Sequence, residues 1–385
     1  MTIHRHQKFH FLVLTAVLLL GFNSSWATDD VKICIKYETH FTDWAMGDFY
    51  ASSSPHDYIA IRPHVLVWDN DSNIPMFNYF TDDVNCTPTL ALNSAHDFEI
   101  KVYAEALLVD GNVIRVYDNI DNPIIHAQVV HPNWNPPGDG PFPFTHQYNY
   151  NFKVSNILAA AGWTVNRRPG GLSNLDITYF TDPCPSTGSS CFQTNGGDHR
   201  IMLSLDDRDR KSTIAHETGH EIAYTKKGND ESVSDCSFYI NDSEDCSNGD
   251  TGATSHCNKC VEHQSCAAWE GFADFYMVAA WNYEGDNNCD YNDDGDSCAV
   301  ENHWMEDYSC LFDYDGYGME WDWTHFWWEM YSNRGYSVGD IAQIYNLSDP
   351  EDWFDVYIDL RSAAIDFGKS FSIWDTWADF NGVDH

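Results

Sequence analysis

The chain has 385 residues, with 20 lysines and arginines against 59 aspartates and glutamates and a formal net charge of −39. A surface that acidic repels nucleic acid and anionic membranes, which excludes both as expected partners. It fits a hydrated soluble surface or carboxylates reserved for calcium, and composition does not choose between the two.

In chain order, Met1–Gln7 is polar and basic, Phe9–Phe22 is apolar, and Ser25-Trp26-Ala27 places small residues where a signal peptidase inspects the chain. A leader over residues 1–27, cut after Ala27, is expected, giving a secreted, extracellular product. Losing Arg5 and Lys8 with it moves the net charge by two, from −39 to −41. The apolar core of the leader is too short for a spanning helix, and no later run approaches that length. All 12 cysteines lie after the leader. An even count in an exported chain reads as disulfides. Cys257-x-x-Cys260, with His256, His263 and Cys266 close by, has a spacing that matches no standard zinc module, so disulfides are the preferred reading there too.

From Val31 to about Val130, short β-prone runs alternate with turn residues: Val31–Ile35, Tyr58–Ile61, His64–Val67, Phe98–Val102, Val113–Tyr117 and Ile125–Val129. They predict a β-sandwich-like module over 28–131, stapled by Cys34–Cys86. Whether it is an accessory module or a pro-region is left open by the sequence. Pro132–Phe144 (PNWNPPGDGPFPF) is rich in Pro and Gly, and 132–145 is expected to be a linker. Next come a helix over Phe152–Trp163, strands at Leu175–Phe180 and Arg200–Leu205, and a small loop closed by Cys184 and Cys191. The last strand, leading straight toward the next helix, is expected to be a sheet edge able to hold an extended peptide.

That next helix carries Ile214-Ala215-His216-Glu217-Thr218-Gly219-His220-Glu221-Ile222, an H-E-x-x-H sequence. Histidines four apart share one helix face and can reach one metal ion. Glu217 is placed beside that ion, where a carboxylate can take a proton from a bound water. Residues 226–266 are acidic, irregular and Cys-rich, too long for an ordinary connection, and read as a stapled insertion. A strong helix follows over Ala267–Asn282. In its otherwise apolar sequence Glu270 and Asp274 stand four apart, an expensive pair to bury without a cation. Glu270 is therefore the candidate third ligand, and Asp274 the acceptor that orients a ligating imidazole.

His216-Glu217-x-x-His220 followed by Glu270-x-x-x-Asp274 resembles the gluzincin metallopeptidases, the thermolysin-like group. The wording Glu270-Gly271-Phe272-Ala273-Asp274-Phe275 resembles the corresponding helix of exported bacterial gluzincin-like proteins. The resemblance covers about residues 146–330. It implies that His216, His220 and Glu270 bind Zn2+, that Glu217 is the general base, and that Asp274 buttresses a histidine. The chain departs from the pattern in two ways: the gap from His220 to Glu270 is longer than in thermolysin, and no clear copy of the family's downstream transition-state histidine is present. His325 or Tyr317, near the start of a later aromatic helix, is the candidate oxyanion donor, an aromatic core helix being the plain alternative.

Asp290, Asn292, Asp294 and Glu301 match a Ca2+ loop template, although Ser297 stands where an aliphatic residue is usual. A structural calcium loop and a simple acidic turn both remain open. Asp313-Tyr314-Asp315-Gly316 makes Asp313 or Asp315 a fallback third zinc ligand. The tail, over Val338–Tyr345, Asp352–Phe367 and Ser370–Phe380, is expected to be helical.

The combined expectation is a zinc metallopeptidase domain over 146–385, with an α+β zincin-like fold: a small mixed sheet with an edge strand, the H-E-x-x-H helix and a mainly helical C-terminal half. It would be a monomeric secreted endopeptidase acting on protein or peptide substrates through a zinc-bound water activated by Glu217. The competing class is a non-catalytic exported metal-binding or adhesion protein with structural zinc and calcium sites. Its signature would be a fourth protein ligand on the metal.

Overall fold

A computed structural model describes residues 28–43, 56–59, 62–108, 111–117, 127–134, 140–146, 153–166, 178–181, 184, 189–195, 198–226, 264–282, 320–348, 356–381 and 383. The leader, nearly all of the Cys-rich insertion, the acidic loop with Asp290, Asn292, Asp294 and Glu301, and Asp313, Asp315 and Tyr317 lie outside these residues. The described chain is mixed α+β, with a β-rich N-terminal region and a helical C-terminal half.

Strand β1 (Thr28–Thr39) shows why the first region is β: Val31, Ile33, Ile35, Tyr37 and Thr39 are buried on one face while the residues between them reach the other. Along β1 lie β2 (His56–Ile59) and β5 (Leu90–Asn93), both antiparallel, and β9 (Gly140–His146), which runs parallel to it. A second, eight-stranded sheet is built from β3 (Pro63–Asp69), β4 (Ile74–Phe80), β6 (Phe98–Leu107), β7 (Val113–Tyr117), β8 (Ala127–Trp134), β10 (Thr178–Phe180), β11 (Cys191–Asn195) and β12 (Asp198–Met202). Its order is β11-β12-β10-β7-β6-β3-β4, with β8 also on β6. The expected Cys34–Cys86 and Cys184–Cys191 disulfides are both formed.

Two sequence expectations are corrected. Residues 132–134 and 140–145 are not an unpaired linker, because they lie in the end of β8 and in β9. The Pro-rich composition misleads for a local reason. Pro141 and Pro143 are two apart, so both of their missing N–H groups would point the same way, and among the described residues β9 pairs on one side only, with β1. The N-terminal strands also continue into the second region: β7 pairs in parallel with β10, and β10 with β12, so one sheet runs from the first region into the second.

The second correction concerns the edge. Arg200–Leu205 contributes β12, which lies between β10 and β11, and the outer strand is β11, antiparallel to it. Ile201, Met202 and Leu203 are consecutive and fully buried, the mark of an interior strand covered on both faces.

Seven helices are described: α1 (Lys153–Asn166), α2 (Lys211–Lys226), α3 (Gln264–Trp281), α4 (Glu320–Arg334), α5 (Val338–Leu347), α6 (Val356–Asp366) and α7 (Phe371–Phe380). Helix α1 packs on β1, β7 and α2, with Ala159, Ala160 and Ala161 permitting close approach. Helix α3 is buried from Ser265 to Trp281 on every face, as its nearly all-round apolar sequence dictates. It lies between α2 and α4, so its two acids are carried into the core beside the H-E-x-x-H helix.

Candidate metal centre

Helix α2 is fixed by its apolar residues. Ile214, Ala215, Ile222 and Ala223 are buried in the core, and the Thr218 hydroxyl meets the Tyr179 hydroxyl of β10 at 3.0 Å while donating to the Ile214 carbonyl. The face left over carries His216 and His220, one turn apart. Gly219 sits between them for a steric reason: a Cβ there would come 2.7 Å from the Ala273 Cα and 3.0 Å from its carbonyl oxygen. Only glycine lets α3 come this near. Gly271 does the same on the other side of α3, where a Cβ would fall 2.5 Å from the Trp323 Cβ of α4.

This close approach brings three ligand atoms together. His216 Nε2 and His220 Nε2 are 3.0 Å apart, and Glu270 Oε2 lies 3.2 Å from the first and 2.9 Å from the second. The remaining nitrogen of His216, Nδ1, is 2.7 Å from Asp274 Oδ1, the arrangement expected if Nδ1–H donates to the carboxylate and Nε2 is left as the coordinating lone pair. Trp269 stacks on the His220 ring at 5.2 Å between centroids and 14° between planes, fixing the second imidazole. Burial disfavours charge on His216, but the Asp274 carboxylate, with Glu270 behind it, outweighs burial and raises its pKa well above the ordinary imidazole value.

The residues fit a zinc ion. Four ligands placed tetrahedrally about 2.0–2.2 Å from Zn2+ stand about 3.3 Å from one another, close to the spacings seen here. Two imidazole nitrogens and a carboxylate oxygen at such distances repel through their lone pairs unless a cation or proton joins them. Imidazole and carboxylate are also ordinary zinc donors. Among the described residues no fourth His, Cys, Asp or Glu joins the group.

The sequence-derived residues divide clearly. His216, His220, Glu270 and Asp274 come together as expected. Glu217 is buried on the same helix. His325 is on α4, which packs on α3, and burial pushes its pKa down to about 4, so it is neutral near pH 7.

Sequence reasoning overlooked Trp269, Gly219 and Tyr345 of α5. The Tyr345 phenol is pushed far above its usual pKa by burial and the Glu270 carboxylate. A glycine inside a helix, between two ligand candidates, is the one signal that was readable.

It also overlooked a second group of metal-competent residues, where Asp69 and Asp71 at the β3–β4 turn meet His96 between β5 and β6. There Asp69 accepts the Asp71 and Ser72 amides at 3.0 Å and faces His96 Nδ1 at 2.8 Å, while Asp71 accepts the Asp97 amide at 2.6 Å. Those bonds lock the turn by themselves.

No protein-family model matches the chain, and no curated protein matches it.

Proposed function

We propose that the chain is an exported zinc-dependent endopeptidase of the gluzincin kind, with a zincin-type catalytic half. The observation that carries this reading is the triangle of His216 Nε2, His220 Nε2 and Glu270 Oε2, backed by Asp274 on His216. A three-residue donor set leaves a coordination position for reactants, whereas structural zinc is usually closed by four protein ligands. Zinc held there supplies Lewis acidity, polarising a carbonyl and acidifying water.

The chain's own residues do the rest. His216, His220 and Glu270 hold the ion, and Asp274 keeps His216 in the ligating tautomer. Glu217 takes the proton of the attacking water and delivers it to the departing amine. His325, a neutral imidazole, is the candidate donor to the developing oxyanion. Strand β11, antiparallel at the sheet end and in contact with α2 through Phe192 and Tyr224, offers main-chain groups to an extended peptide. Protein or peptide substrates are the corresponding partners, and the protein acts as a monomer. Among the described residues no helix is long and apolar enough to cross a membrane.

The test is cleavage of a mixed natural peptide pool by the protein, with Glu217→Gln beside it. Cuts made by the wild type and absent from the variant support the proposal. A folded, zinc-loaded wild type that makes no cuts overturns it.

A further inference from the structure

The first turn of any helix presents amide groups with no partner inside the helix. For α2 the residue ahead of the helix is Arg210, whose side chain has no acceptor, so the sequence supplies no local cap. The acceptor comes from the other end of the fold. Asp43, only 3% exposed and just beyond β1, accepts the Lys211 amide on Oδ1 at 2.9 Å. Its Oδ2 accepts the Ser212 amide at 2.7 Å and the Ser212 hydroxyl at 2.6 Å. A carboxylate at this end also opposes the positive pole of the helix.

The segment that leads into Asp43 is held at two further points. The Thr42 amide donates to the Asp209 carbonyl at 2.9 Å. Three residues before Asp43, the His40 amide donates to Asn156 Oδ1 of α1 at 2.8 Å, and Asn156 returns Nδ2–H to the His40 carbonyl at 2.5 Å. The end of β1 is thus clamped to α1 and to the start of α2. His216 follows Lys211 by about a turn and a half. Where α2 starts therefore governs where His216 and His220 stand relative to Glu270.

We infer that Asp43 is a positioning residue of the metal centre, and that the strands of residues 28–146 are a permanent part of the metal-binding unit and not a pro-region removed on activation. The inference rests on the metal-centre reading above. Two features besides the cap support it: β7 pairs with β10 in the sheet that also holds β12, and α1 packs on β1, β6 and β7. Removing the N-terminal strands would uncap α2 and open a sheet next to α1.

The experiment measures zinc affinity by competition with a chromophoric chelator, together with the visible spectrum of the cobalt-loaded protein. Wild type, Asp43→Ala and Asp43→Asn are compared at a temperature where circular dichroism shows each folded. Asp43→Ala is expected to weaken zinc binding at least 10-fold and shift the cobalt bands, while Asp43→Asn, which keeps a capping oxygen, recovers most of both. A folded Asp43→Ala with wild-type affinity and spectrum overturns the inference alone. A wild type that binds no zinc overturns the metal-centre reading, and this inference with it.

If Asp43→Ala does not fold, the double variant Asp43→Asn with Ser212→Ala carries the test: weaker zinc binding than wild type supports the inference, and wild-type affinity overturns it. Mass spectrometry of the purified active protein supplies the second arm. Retention of residues 28–146 is expected, and an active zinc-loaded form lacking them overturns the claim of permanence.

Discussion

Gly219 of α2 lies directly against the backbone of Ala273 of α3, with no room for even one methyl group between them. This contact sits in the middle of the site: on α2 it is flanked by His216 and His220, and on α3 by Glu270 and Asp274. The spacing between the two helices, and with it the reach from imidazole to carboxylate, is set there. Gly219→Ala should push α3 outward, costing about 1–3 kcal/mol of stability as overpacking does and weakening zinc binding more than a stability loss alone explains. Urea denaturation and chelator competition on the same variant check both.

Asp274 and Glu270 should separate in their effects. Glu270→Ala removes a donor and should nearly abolish zinc binding. Asp274→Ala leaves three donors but frees the His216 tautomer, and should weaken binding about 10–100-fold. Glu217→Gln should bind zinc as the wild type does. Metal titration of the three purified variants gives the ranking directly.

Zinc should stabilise the fold measurably, because the three donors that repel one another without a cation are divided between two helices, α2 and α3. At a free zinc concentration 100 times the dissociation constant the gain is about 2.7 kcal/mol. A thermal melt with chelator, then with zinc restored, should show a reversible rise in Tm that is absent in Glu270→Ala.

The Asp69 turn offers a pH test away from the metal. Burial alone would raise the Asp69 pKa, but hydrogen bonds from His96 and Ser72 outweigh it and hold the carboxyl below 3.8. A carboxylate with a depressed folded pKa stabilises the protein fully above its unfolded pKa and loses that contribution as pH falls through the lower folded value. Asp69→Asn should therefore be less stable than wild type at pH 7, by about 1 kcal/mol, with the gap closing as pH falls through the lowered folded pKa of Asp69. Chemical denaturation of both proteins across that range measures it.

The metal centre was legible because its information is local. His216 with His220, and Glu270 with Asp274, are pairs one helical turn apart, and helix geometry converts that spacing into a shared face. The helices of the C-terminal tail were readable for the same reason. The sheets were harder. β4 has no clean alternation of buried and exposed residues, and β9 hides behind Pro141 and Pro143. The edge was misassigned because nearness in sequence to α2 was taken for nearness to the site. In the sheet, β12 is flanked by β11, which pairs antiparallel with it on the outer side. The cap on α2 was not readable at all, since its partners are 168 and 169 residues apart.

The wide separation between Asp43 and α2 also dictates an order of events. As the chain emerges from its N-terminus, β1 must wait for β9 to arrive, Asp43 must wait for Lys211, and His216 must wait for Glu270. Each closure spends chain entropy before any contact is gained, and topologies of this kind fold slowly. The candidate metal centre is accordingly among the last features to form, and it needs pieces from distant parts of the chain at once. A copy that ends before α3 would carry the H-E-x-x-H helix without Glu270 and Asp274, and so without the complete candidate metal centre.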